Sequence, residues 1–228
     1  MATSSLLPAV QAALGAAVTL GYASTAADHD VYEAYVLTLF LEAAVVEDWD
    51  MELRDGSCRP TSRAIFRLGP GRLPTGDFTH VRLWKSGKKD LEVHLGVKVV
   101  GSSPIVASRR GRTAHLLHEF DLLVLPSSIA DVCRAANMDP PRTAVVAHAE
   151  AKHYGGNLTL PIGRASVGMA VECGVAGKSV LVTNRLGKSV QDLVEYHGVT
   201  FRFLIKPSNP VGETLLVTRF QELLRTAP

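Results

Sequence analysis

The sequence predicts a mixed α/β fold, a central sheet flanked by helices and preceded by an N-terminal helical pair. Three observations carry that prediction. The first fifty residues hold two apolar runs on a helical repeat, Met51 to Val100 breaks into short alternating runs, and from Glu119 onward strands and helices take turns. With 228 residues, 46% hydrophobic and 20% charged, the chain is expected to form one globular domain. Its expected parts are N-terminal helices over 1–50, an αβ core over 51–206 and a C-terminal tail segment over 207–228.

Residues from about Ser5 to Ser24 read as an Ala/Leu-rich core helix. The run LLPAVQAALGAAVTLGYAS is not expected to be a signal peptide, because no Lys or Arg precedes Arg54, nor a membrane span, because Pro8, Gln11 and Thr19 interrupt it. A second helix, from Asp28 to about Glu47, opens on an Asp cap. AIFRLG, FTHVRLW and LEVHLGVKVV then read as antiparallel strands, with GPGRLPTG a loop and SGKKD a hairpin connection.

EFDLLVLP is the next strand and IADVCRAANMDPP a short helical excursion. VVAHAEAKHY is a strand, and LTLPIGRASVGMAVECG a helix that tolerates Pro161 in its first turn. KSVLVTN is a buried strand, SVQDLVEYHG a helix closed by Gly198, and VTFRFLIKP a last strand. Strands separated by helices require crossover connections, hence a mixed sheet.

Charge is distributed unevenly. Residues 1 to 53 carry eight acids and no base, so the rest of the chain holds all 24 bases against the other 14 of the 22 acids. That basic body, with Lys85, Lys88, Lys89 and the Arg109, Arg110, Arg112 cluster, suits a polyanionic partner such as nucleic acid. Cys58, Cys133 and Cys173 lie far apart and form no C-x-x-C pair, so neither a disulfide framework nor a zinc site is implied, and they read as buried thiols of a cytoplasmic protein.

Two motifs fail on inspection. ECGVAGKS lacks the first glycine of a phosphate loop, with Glu172 in its place, and lies between a helix and a following strand rather than the reverse. His148-Ala149-Glu150 has the H-x-E form of zinc deaminases, but no P-C-x-x-C follows.

What remains is Asp121, Glu150 and Lys152 on two consecutive strands. Asp121 interrupts an otherwise apolar run. In VVAHAEAKHY the alternation puts Val146, His148, Glu150, Lys152 and Tyr154 on one face and small residues on the other. Buried carboxylates cost several kcal/mol each when desolvated alone, and a divalent cation is the strongest partner that offsets the penalty.

These residues resemble the PD-(D/E)XK, or restriction endonuclease-like, nuclease superfamily, in its Mrr-like branch: a strand Asp121, a strand ending Glu150-Ala151-Lys152, then the helix with IGRASVGMA. KSVLVTN, SVQDLVEYHGV and TFRFLIKP look like the strand, helix and strand that complete that fold, and VYEAYVLTLFLEAA like the helix that supplies another acid, Glu33 ahead of Glu42. The likeness spans roughly residues 28 to 206, and departs from the pattern in that Phe120, not Pro, precedes Asp121.

The resemblance implies Mg2+-dependent phosphodiester hydrolysis, with Mn2+ as a substitute, leaving a 5′ phosphate and a 3′ hydroxyl. Asp121, Glu150 and the Ala151 carbonyl would ligate the metal, with Glu33 as a further ligand, Lys152 would orient or activate the water, and Glu119 and His118 would tune the surroundings. It also implies DNA as substrate, in restriction, defence or repair, and a homodimer or a partner subunit that supplies target recognition. Arg164, Ser166 and Lys178 are the expected backbone contacts, with Arg185 as an extension, while Tyr154 is expected to pack in the core. The alternative is a catalytically silent nuclease-fold subunit that binds nucleic acid or scaffolds a complex.

Overall fold

The computed structural model describes residues 3–15, 18–21, 28–105 and 114–228. The chain begins with α1 (Thr3–Leu14), a two-residue strand β1 (Thr19–Leu20) and α2 (Asp28–Val46). It continues through β2 (Asp50–Arg54), β3 (Arg63–Ala64), β4 (His80–Trp84), β5 (Leu91–Ile105) and β6 (Ala114–Pro126). After α3 (Ser127–Ala136) come β7 (Ala147–Lys152), α4 (Leu160–Cys173), β8 (Ser179–Thr183), α5 (Lys188–Tyr196), β9 (Thr200–Arg202) and α6 (Pro210–Arg225).

Seven strands form one mixed sheet in the order β2-β4-β5-β6-β7-β8-β9. The pairs from β2 to β7 are antiparallel, and β7-β8 and β8-β9 are parallel. The parallel pairs need crossovers, which α4 and α5 supply. Helices cover both faces. On one face α1, α2 and α6 enclose the main core with Leu91, Val93, Leu95, Leu122, Val124 and the alanines of β7. On the other, α3 and α4 cover Val97, Val99, Leu123 and Leu125, while α5 and α4 close over Leu181 and Phe201.

α2 is the central helix of the first layer. Val31, Tyr32, Ala34, Tyr35, Val36, Leu37, Phe40 and Ala44 are all buried in the core, while Val45 and Val46 at its end are exposed. Asp28 and Asp30 sit in its first turn, where acids complement the helix dipole.

Two expectations needed correction. The first helix stops at Leu14, not near Ser24: Gly15 adopts φ +91°, the Gln11 amide donates to the Gly15 and Val18 carbonyls, and Thr19–Leu20 pairs with Arg63–Ala64. Residues 22–24 of that expected helix lie outside the described ones. The C-terminal tail segment is in fact α6, which opens on Pro210 and buries Leu216, Val217, Phe220, Leu223 and Leu224. Phe220 meets Phe40 of α2 edge-on, ring centroids 5.1 Å apart.

Candidate active site

The site lies where β6 and β7 part. Their ladder pairs Val124 with Ala147, Leu123 with His148 and Leu122 with Ala149, then ends. On the other side of β6 the register with β5 skips Gly96, at φ +61°, and Asp121. Where the main-chain ladder ends, the Asp121 carboxylate takes over: its Oδ2 accepts the Ala151 N–H at 2.8 Å and the Lys152 ammonium at 2.9 Å. Lys152 Nζ also lies 2.7 Å from Glu150 Oε1. One ammonium thus joins two carboxylates from neighbouring strands.

The small face of β7 explains how a third element reaches this point. Ala147, Ala149 and Ala151 are buried in the main core, and their short side chains let α2 lie close against the strand. That approach carries Glu33 into the field of Asp121 and Lys152. Burial, then the Asp121 charge, push the Glu33 carboxyl up to about 9. Asp121 is raised by burial and by Glu150, and Glu119 by burial followed by Asp121 and Glu150. Burial opposes the Lys152 charge, but Glu150 and Asp121 outweigh it and hold the ammonium well above the ordinary lysine range.

Four carboxyl groups against one ammonium leave the cluster short of positive charge. Glu150 Oε2 shows where the shortage falls: it is buried and has no hydrogen-bond partner, while Oε1 of the same carboxylate is taken by Lys152. An oxygen donor without a partner beside an acid-rich cluster suits a hard divalent cation, although the oxygens of Asp121, Glu150 and Glu33 do not lie within 4.8 Å of one another as a ready ligand set. The raised Glu33 expresses the same deficit.

Of the residues expected at the site, Asp121, Glu150, Ala151, Lys152 and Glu33 come together, and Glu119 joins them. Glu42 does not: it is exposed beside an apolar groove of about 740 Å3 between α1, α2 and β2. That groove contains none of Asp121, Glu150 and Lys152. His118 turns toward Glu172, 3.9 Å away, instead of the site.

The expected nucleic-acid contacts divide. Arg164 is exposed on the first turns of α4, whereas Ser166 is buried at 4% exposure and cannot meet a ligand there. Lys178 donates to the Val145 carbonyl at 2.7 Å, just before β7 begins and at the opposite end of that strand from Lys152. Lys85 and Lys88 are spent on helix ends: Lys85 donates to the Glu47 carbonyl, and Lys88 to those of Arg225 and Ala227. Arg109, Arg110 and Arg112 lie outside the described residues. Tyr154, expected in the core, is 39% exposed, and Arg185 donates to its carbonyl at 2.8 Å. Cys133 and Cys173 are buried thiols, but Cys58 is only half-buried.

Sequence reasoning missed a second polar cluster, His80, Glu92 and His94, bound to Arg134. Glu92 and His94 are two apart in one strand, a readable signal that they share a face; that His80 meets them depends on strand register, which no local pattern reveals.

Comparison with family models, with curated proteins and with solved structures finds no match for this chain. Among the described residues no helix is long and apolar enough to cross a membrane.

Proposed function

We propose that the chain is a Mg2+-dependent nuclease of restriction endonuclease-like fold that hydrolyses phosphodiester bonds of DNA, a cytoplasmic enzyme of restriction, defence or repair. The observation that carries this reading is the junction at the end of β7, where Lys152 Nζ lies 2.7 Å from Glu150 Oε1 and 2.9 Å from Asp121 Oδ2 while Glu150 Oε2 is left unpartnered. The sheet order, with an antiparallel part ending in β7 and parallel strands after it, agrees with that fold.

Asp121, Glu150, the Ala151 carbonyl and Glu33 would hold the cation. When bound, Mg2+ supplies charge stabilisation for the scissile phosphate and a more acidic water. The chain's own residues do the rest. Asp121 fixes the Ala151 main chain and with it the position of Glu150 and Lys152. Lys152 carries an ammonium, so it acts as a donor, orienting the attacking water and stabilising charge as the water oxygen bonds to phosphorus and gives its proton to solvent, while the bond to the 3′ oxygen breaks and that oxygen takes a proton from solvent to become the 3′ hydroxyl. Glu150 and Asp121 keep the Lys152 ammonium protonated, and Glu119 and Glu33 lie in the field of the same cluster. Arg164 reaches solvent and would contact backbone phosphates.

The test is cleavage of plasmid, linear and single-stranded DNA with Mg2+, Mn2+ or a chelator, in wild type, Glu150→Ala and Lys152→Ala. Metal-dependent cutting lost in both variants is the expected result. Absence of cutting together with DNA binding indifferent to both substitutions would instead support the silent subunit or scaffold.

A further inference from the structure

We propose that His80, Glu92 and His94 form a binding site for a transition ion of the zinc class, separate from the Asp121–Glu150 junction and structural in purpose. The strand register builds it. β4 and β5 pair Arg82 with Glu92 and Val81 with Val93, so His80 on one strand falls beside His94 on the other, and Glu92 lies between them. His94 Nε2 is 2.9 Å and His80 Nε2 3.7 Å from the same oxygen, Glu92 Oε2, and all three donor atoms lie within 4.8 Å of one another. The two imidazoles lie 4.9 Å apart between centroids, with 18° between planes, and the Nε2 of each lies beside the same Glu92 oxygen.

An ion-paired network would account for part of this cluster. Arg134 donates to both oxygens of Glu92, at 2.9 and 2.7 Å, and Asp131 holds Arg134 in turn at 2.7 Å. It does not account for His80. That residue is 2% exposed and its Nε2, aimed at the cluster, has no hydrogen-bond partner. An orphaned buried nitrogen costs about 1–3 kcal/mol unless something accepts its lone pair or its proton. A metal ion bonded to it, to His94 Nε2 and to Glu92 Oε2 removes that cost.

The chemistry of the donors selects the ion. Two imidazoles and one carboxylate suit zinc, whereas Mg2+ prefers oxygen donors in an octahedron. A cavity of about 20 Å3 lined by His80, His94 and Arg134 adjoins the cluster, room for about one water as a fourth ligand. Arg134 would then act as the group that orients the ligating carboxylate, a usual partner for metal-bound carboxylates.

The purpose follows from position. Leu91, Val93 and Leu95 point into the main core, while Glu92 and His94 face the other way, toward α3. The cavity wall also takes in Gly56, Arg67, Leu73, Gly76 and Phe78, from the long connection between β2 and β4 whose only regular element is β3. An ion there would fasten that connection to the sheet.

The experiment uses the full chain, stripped with a chelator and titrated with Zn2+ in Glu150→Gln, which disables the other candidate site, alone and combined with His80→Asn or His94→Asn. The expected result is one tightly held Zn2+ per chain in Glu150→Gln, a rise in melting temperature on binding, and at least a tenfold loss of affinity in each histidine variant. Should those variants fail to fold, Co2+ in Glu150→Gln decides: paramagnetically shifted ring signals from two histidines support the site. No Zn2+ retained, affinity unchanged in the histidine variants, or no shifted histidine signals would overturn it and leave a water as the partner of His80.

Discussion

Asp121 accepts the main-chain N–H of Ala151 at 2.8 Å, so a side chain of β6 completes the hydrogen bonding of β7 at the point where the ladder between them has ended. The carboxylate therefore has two separable roles, one in backbone geometry and one in charge. Asp121→Asn keeps an acceptor for Ala151, whereas Asp121→Ala leaves a buried N–H unsatisfied. We expect Asp121→Ala to lose about 1–3 kcal/mol of stability and Asp121→Asn distinctly less. Both should lose DNA cleavage by at least about a hundredfold. Urea unfolding beside a cleavage assay checks it; equal stability of the two variants would refute the backbone role.

Lys152 separates catalysis from metal binding. Its ammonium lies against both Asp121 and Glu150, so its removal strips charge compensation from the carboxylates without deleting a metal ligand. Lys152→Met is expected to cut the cleavage rate by about 10²–10⁴ while Mg2+ still raises the melting temperature. The check is a thermal shift series against Mg2+ concentration. Loss of the Mg2+ shift in Lys152→Met would mean that the lysine, rather than the acids, builds the site.

Glu33 contributes to the pH dependence of the metal-free protein. Its carboxyl is raised from 4.5 to about 9 by burial and by the Asp121 charge. Between those values the native state holds a proton that the unfolded state has lost. The corresponding stability is present below 4.5 and is lost as pH rises toward about 9, with an upper limit of about 1.4 kcal/mol per pH unit. In chelator, wild type should melt at progressively lower temperature from about pH 6.5 to 9, above the range in which the buried His80 and His148, lowered to about 4, act in the opposite sense; the change is about 2–4 °C for each kcal/mol, and Glu33→Gln should flatten the slope. Mg2+ must displace the same proton, so its apparent affinity should rise with pH in wild type and less so in Glu33→Gln. A parallel slope in both proteins would remove Glu33 from the cluster.

These expectations also show how far the sequence could be read. Asp121 was legible because a lone acid interrupts an apolar strand, and Glu150 and Lys152 because strict alternation gives β7 one face of alanines and one of charges. Glu33 was legible only through a likeness, since nothing in a helix sequence says which acid will lie over a strand end. The helical period of α6 was present in Leu216, Val217, Phe220, Leu223 and Leu224 behind Pro210, and the stop at Gly15 was a single glycine. The basic residues were hard to sort because a lysine that donates to main-chain carbonyls and one that binds phosphate look alike in sequence; Lys85, Lys88 and Lys178 donate to carbonyls.

That distinction gives a last prediction, about where nucleic acid touches the chain. Arg164 is exposed near the start of α4, on the connection that leaves the site end of β7, and its charge is free for phosphate. Lys178 donates inward to Val145, and Lys88 donates to the last carbonyls of the chain. Arg164→Ala should weaken DNA binding about uniformly across sequences and lower the salt dependence by about one counterion, with folding stability unchanged. Lys88→Ala should do the reverse, leaving binding and its salt slope alone while costing about 0.5–1 kcal/mol through the lost helix-end contacts. Binding titrations at several salt concentrations, paired with unfolding of the same proteins, separate the two classes. If Lys88→Ala changed the salt slope and Arg164→Ala did not, the DNA path would run along the β4–β5 hairpin, away from Asp121, and the proposed active site could not be the place where the strand is cut.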